Sequence, residues 1–197
     1  MVEEMEPVVT KNAEGINIFP EQDMCPASTP GEMINTACGE KPAIMVDEFE
    51  ALQLCYHNQA RAAHGADPLV WNNDLAAEAQ AYADFLQMND PSSSGLIHDQ
   101  SLEGVGENLY WANSSDGSHI MRIMGTDAAS RNWYEEEEGL YAYDGEFNFA
   151  AGHFTAMVWK DTCELGCGKS DNFVVCRYTP QGNILGQFSD KVMPSMI

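Results

Sequence analysis

The chain has 197 residues, enough for one domain to bury a core of its own. Nine Lys and Arg stand against 31 Asp and Glu, a formal charge of −22, so its field repels a phosphate backbone or an anionic membrane surface. Nucleic acid is excluded as a partner, and divalent cations are drawn in.

Stable membrane insertion is not expected, because no window of about eighteen apolar residues is present. The opening Met1-Val2-Glu3-Glu4-Met5-Glu6 is acidic and lacks an apolar core, so no signal peptide is expected there. Six cysteines (Cys25, Cys38, Cys55, Cys163, Cys167 and Cys176) without a Cys-x-x-Cys pair favour disulfides over a structural zinc site. Asn113-Ser114-Ser115 is a sequon for N-glycosylation and agrees with a secreted, extracellular protein.

Residues 1–43 carry five prolines, with glycines and acids, and show no sustained periodicity. They read as an irregular arm tied down by Cys25 and Cys38, leaving 44–197 as the domain. From Val46 to Gly65, Phe49, Leu52, Tyr56, Ala60 and Ala63 recur at helical spacing, and Gly65 suits the stop. A second helix follows Leu69 and Trp71, with Leu75, Ala79 and Leu86 in its buried stripe and Asn72 or Asn73 as cap. A loop through Asp90-Pro91 delivers His98. Gly104 and Gly106 let the chain turn so that His98 approaches Glu107.

Leu109-Tyr110-Trp111 reads as a short strand, and Ile120 to Tyr134 as a helix running into the acidic Glu135 to Glu138. The loop from Leu140 to Phe149 is aromatic for a connection, and either packs down as core or lines a binding surface. Gly152-His153-Phe154-Thr155-Ala156-Met157-Val158-Trp159 is expected to be a buried strand with His153 at its start, either a core histidine or part of a site. Further strands are expected over 163–168, 173–178 and 184–188. Cys167 and Cys176 then lie on adjacent runs and can form a cross-strand bridge. The other four cysteines allow three pairings, of which Cys25 with Cys38 plus Cys55 with Cys163 is one. Helices first and strands after give an α+β layered domain with a mainly antiparallel sheet.

Four ordered stretches carry a resemblance: His57-Asn58-Gln59-Ala60-Arg61, Gly106-Glu107-Asn108-Leu109-Tyr110-Trp111, the run from Gly152 to Trp159, and Cys176-Arg177-Tyr178-Thr179-Pro180-Gln181-Gly182-Asn183. Together they resemble the signature motifs of the CAP superfamily, which includes cysteine-rich secretory proteins, insect venom antigens and plant pathogenesis-related proteins. The resemblance runs from about Phe49 to Val192 and implies a three-layer α-β-α sandwich. It also implies a cavity of two histidines and two glutamates, falling on His98, Glu107, Glu136 and His153. Glu136 is chosen because the family's Trp-Tyr-x-Glu is matched by Trp133-Tyr134-Glu135-Glu136.

Such a set suits a divalent cation, zinc before magnesium or calcium, or else a polar cluster with no metal. The resemblance further implies a carrier of sterols or fatty acids, with Tyr141, Tyr143, Phe147 and Phe149 as the contacts. A metal-dependent hydrolase and a receptor-directed signalling or immune-modulating module are the alternatives. No His-Glu-x-x-His or Gly-x-Ser-x-Gly motif occurs, although a dispersed Ser-His pair would leave no local signature.

Overall fold

The computed structural model of the chain describes residues 10–11, 17–18, 48–89, 95–112 and 128–196. Cys25, Cys38 and Asn113 lie outside these residues. Near the start, β1 (Thr10–Lys11) and β2 (Asn17–Ile18) pair antiparallel. The domain follows with α1 (Glu48–Ala63), β3 (Val70–Trp71), α2 (Asn73–Asn89) and β4 (Gly106–Trp111). Its second half holds α3 (Ala128–Glu135), α4 (Gly152–Met157), β5 (Glu164–Ser170), β6 (Phe173–Thr179) and α5 (Phe188–Lys191).

Four strands form one sheet in the order β3-β5-β6-β4. β5 pairs antiparallel with β6, β6 antiparallel with β4, and only β3 runs parallel to its neighbour. The sheet is therefore mainly antiparallel, as expected. Cys167 faces Cys176 in the β5–β6 register, and the two are joined by a disulfide.

Strand alternation assigns the faces of the sheet. Leu109, Phe173 and Val175 pack with Ala79, Ala83 and Leu86 of α2 on one side. Cys167, Val174, Cys176 and Tyr178 join the larger core with Phe49, Leu54, Trp133 and Phe154 on the other. Helix α2 rests directly on β5, where both contact positions are glycines. A Cβ on Gly166 would stand 2.2 Å from the Ala76 nitrogen, and one on Gly168 2.2 Å from that of Gln80. The result is the α-β-α sandwich that the resemblance implies.

The helix boundaries follow local chemistry. Gly65 adopts φ +63 just past α1, a conformation glycine reaches without penalty, and Arg61 O accepts from the Ala66 amide. Asn72 Oδ1 accepts from the amides of Asp74 and Leu75 and so caps α2.

Two strand expectations are corrected. The run from Gly152 begins as helix α4, not a strand, preceded by a 3₁₀ turn over Phe149–Ala151. Asn148 caps that turn through the Ala150 amide, and the Glu137 carboxylate accepts from the amides of His153 and Phe154. Those caps satisfy the free first-turn amides, and apolar content alone could not show them. Residues 184–188 likewise form no strand. Gln187 N bonds Ile184 O, and the chain then enters α5.

Candidate functional site

The motif residues lock α1, the sheet and α4 together before any site is formed. Arg61, fully buried, donates to four carbonyls: Asp67 O at 2.6 Å, Met157 O at 2.9 Å, and Trp159 O and Thr162 O at 2.8 Å. Two of the four, Met157 O and Trp159 O, lie at and just past the end of α4, where no helical partner remains. Asn183 holds the opposite end of α4, accepting from Thr155 Oγ1 at 2.7 Å and donating to Gly152 O at 2.8 Å. Gly182 lies so close to Trp159 that a Cβ there would come within 2.8 Å of the indole.

Buried beneath them, His57 Nδ1 donates to Gln53 O at 2.7 Å and Nε2 accepts from Tyr178 OH at 2.8 Å. Burial, the largest cause, lowers the His57 pKa to about 3, so the ring is neutral. Ser130 Oγ lies 3.2 Å from His57 Nδ1 and donates to Gln53 Oε1. This Ser–His contact is inaccessible to a substrate, since both residues are 0% exposed. It is a structural network, not a nucleophile and its base.

The four side chains named for the cavity fall into two places. His98 Nδ1 donates to Glu107 Oε1 at 2.9 Å, and the Asp99 amide donates to the same oxygen at 3.1 Å. His153 Nδ1 donates to Glu137 Oε1 at 2.5 Å, while its ring stacks on Trp133 with centroids 5.8 Å apart. The carboxylate at His153 is therefore Glu137, whereas Glu136 is exposed. Helix α3 stops at Glu135, and the 3₁₀ turn over Glu138–Leu140 begins with Glu137 as its N-cap, so the acid two residues past the helix end meets His153. In a run of four glutamates only the tertiary contact distinguishes them.

Alternation along β4 keeps these two pairs apart. Asn108 faces α4 and donates to His153 O at 3.1 Å, so Glu107 points to the α2 side, where Arg177 lies opposite it in register. Arg177, 4% exposed, donates to Glu107 Oε2 at 3.3 Å, Asp99 Oδ2 at 2.7 Å and Glu78 Oε2 at 3.4 Å. Its guanidinium also lies 5.5 Å from the Tyr82 ring centroid. Bonds from Ser101, then the Arg177 cation, hold the Asp99 carboxyl below its ordinary pKa.

Among the described residues no three His, Cys, Asp or Glu side chains are grouped to hold a metal ion. His98, Glu107, Glu136 and His153 do not fit a single four-ligand ion, because a guanidinium already sits on Glu107 and the second pair lies across β4.

The aromatic loop also divides. Tyr141 is buried, edge-on to Tyr143 at 4.9 Å and tilted against Phe154 and Phe188. Tyr143 is half-buried and donates to Glu138 Oε1 at 2.8 Å. Tyr141 is thus part of the core, and a ligand cannot touch it without disturbing the fold. Phe147 packs on Phe188 at 5.6 Å and on Phe149 at 4.8 Å, while Phe149 is 91% exposed. Leu140, outside the predicted set, is 53% exposed and tied to this surface by a bond from Asn148 Nδ2 to its carbonyl.

Of the cysteines beyond the Cys167–Cys176 bridge, Cys55 is disulfide-bonded and Cys163 is a free thiol. The Cys55–Cys163 pairing is therefore excluded. Cys163 lies at the start of β5, with Sγ 3.7 Å from Asp161 O.

A family model described as "CAP: Cysteine-rich secretory protein family" matches residues 54–178. The human Golgi-associated plant pathogenesis-related protein 1 is 37% identical over 156 residues, covering 75% of this chain and 94% of that protein. Secreted protein RBT4 of Candida albicans is 33% identical over 171 residues, 82% of this chain and 43% of its own length. The chain spans about half the length of the fungal relatives it matches, from 42% to 55% in three of them. In fold alone it is similar to the crystal structure of hookworm platelet inhibitor, with TM-score 0.50, 18% identity, and coverage of 81% of this chain and 82% of that one. The matched segment runs from within α1 to within β6 and includes His57, Arg61 and the whole of α4, and the chain belongs to the CAP family of cysteine-rich secretory proteins.

Proposed function

We propose that this protein is a secreted carrier of a small hydrophobic ligand, a sterol or a fatty acid, taken up on the surface formed by Leu140, Phe147 and Phe149. The observation that carries the reading is Phe149, 91% exposed, with its ring edge-on to Phe147, which is anchored in turn on Phe188. An exposed aromatic on a core-anchored partner offers contact area with little rotamer freedom to lose. Secretion is supported by the oxidised Cys55 and Cys167–Cys176 and by the relative RBT4, whose name describes a secreted protein.

The reading needs no bound metal and no chemical step. Covering Phe149 and Leu140 contributes about 1.5–3 kcal/mol each, so polar replacement of either weakens binding roughly tenfold or more. In an equilibrium assay with labelled cholesterol and fatty-acid competitors, Phe149→Ser and Leu140→Ser lower affinity while the far-UV spectrum stays unchanged. Wild-type affinity in both variants would remove the surface from the account.

A further inference from the structure

We propose that Arg177 is a resident cation at the His98–Glu107 end of the site, occupying with its guanidinium the position where a divalent ion would neutralise the carboxylates. The inference is independent of the hydrophobic-ligand reading. It starts from a charge problem: the Glu107 side chain is 3% exposed and that of Asp99 20% exposed. The register of β4 and β6 sets Glu107 opposite position 177, and Asp99 meets the same guanidinium from the segment before β4. Two carboxylates so withdrawn from water are costly to ionise unless a cation accompanies them.

Arg177 supplies that cation. Its Nη2 reaches Asp99 and Glu107, its Nε reaches Glu107, and its Nη1 reaches Glu78 on α2. Glu107 is then saturated, since Oε1 takes the His98 ring and the Asp99 amide while Oε2 takes the guanidinium. The arginine is covalently part of β6, is held face-on by Tyr82, and cannot dissociate. A zinc ion arriving here would have to displace a positive charge from a buried site, losing its carboxylate ligands to a competitor of fixed position. His98 is half exposed, but among the described residues no group of three His, Cys, Asp or Glu side chains completes a ligand set around it.

Removing the guanidinium therefore creates a cation site. In Arg177→Gln, Asp99, Glu107 and the more exposed Glu78 lose their shared counter-ion beside His98, an oxygen-rich set with one imidazole. The test is calorimetric titration with zinc alone at neutral pH, with thermal unfolding followed in parallel. For the wild type, His98→Gln leaves zinc affinity unchanged within twofold. For Arg177→Gln, zinc binds at least tenfold more tightly than to the wild type and raises the melting temperature, and both gains vanish in Arg177→Gln/His98→Gln. Wild-type zinc binding that falls fivefold or more in His98→Gln would overturn the proposal. An Arg177→Gln variant that folds yet binds zinc no better would overturn it too. Should Arg177→Gln fail to fold, the His98→Gln comparison still decides, because His98 is half exposed and its loss leaves the fold intact.

Discussion

His57 shows how much a single buried side chain determines. Its ring is neutral between Gln53 O and Tyr178 OH, and burial lowers its pKa from the usual 6.5 to about 3. Between those values the unfolded chain accepts a proton that the folded chain refuses. The stabilisation is complete above pH 6.5 and is lost progressively as pH falls toward 3. His64, also lowered by burial, acts in the same direction. Denaturant unfolding should show the stability gap between wild type and His57→Gln largest near pH 7.5 and smaller by up to about 3 kcal/mol at pH 4. A gap independent of pH would mean that His57 takes up its proton equally in the folded and unfolded chains, so that burial does not hold the ring neutral. The sequence placed His57 and Arg61 in one motif, but beside the local carbonyls of Gln53 and Asp67 they take partners from β6 and the end of α4, more than ninety residues away. The choice of Glu137 over Glu136 was equally hidden, because four consecutive acids carry no local mark that tells them apart.

At the scale of elements, periodicity and turn residues located α1, α2, β5 and β6 closely. Where they failed, tertiary contact had overridden the local pattern. Six apolar-rich residues from Gly152 suit a strand or a buried helix equally, and the decision rests on Glu137 capping the His153 and Phe154 amides from another segment. The layering of α2 on the sheet rests on two glycines of β5. Gly166→Ala would push a methyl into the backbone of α2 at 2.2 Å, a contact that no side-chain rotation relieves. Its expected cost is about 3 kcal/mol or more, read as a lowered denaturant midpoint. An unchanged midpoint would show that α2 can lift from β5 freely. The aromatic loop was open to two readings in the sequence, core or binding surface: Tyr141 packs as core, whereas Phe149 faces outward.

On the scale of the whole molecule, the formal charge of −22 is a repulsive field that the fold must overcome. Salt screens it. The melting temperature should rise by a few degrees between about 0.02 and 0.5 M sodium chloride, since the Debye length then falls below 10 Å. A fall over that range would show that attractive ion pairs such as Arg177 with its three carboxylates outweigh the repulsion. The same excess of acid disfavours an anionic surface as the place where an apolar ligand is collected, so the proposed uptake on the Leu140–Phe149 surface calls for a ligand presented on a neutral surface or free in solution.

Equilibrium binding of labelled cholesterol to the purified protein, with unlabelled sterols and fatty acids as competitors, tests that claim most directly. Saturable, competed binding that weakens at least tenfold in Phe149→Ser and persists in His153→Gln is the predicted result. Absence of saturable binding by either ligand class, or binding that survives Phe149→Ser and Leu140→Ser together, would contradict it.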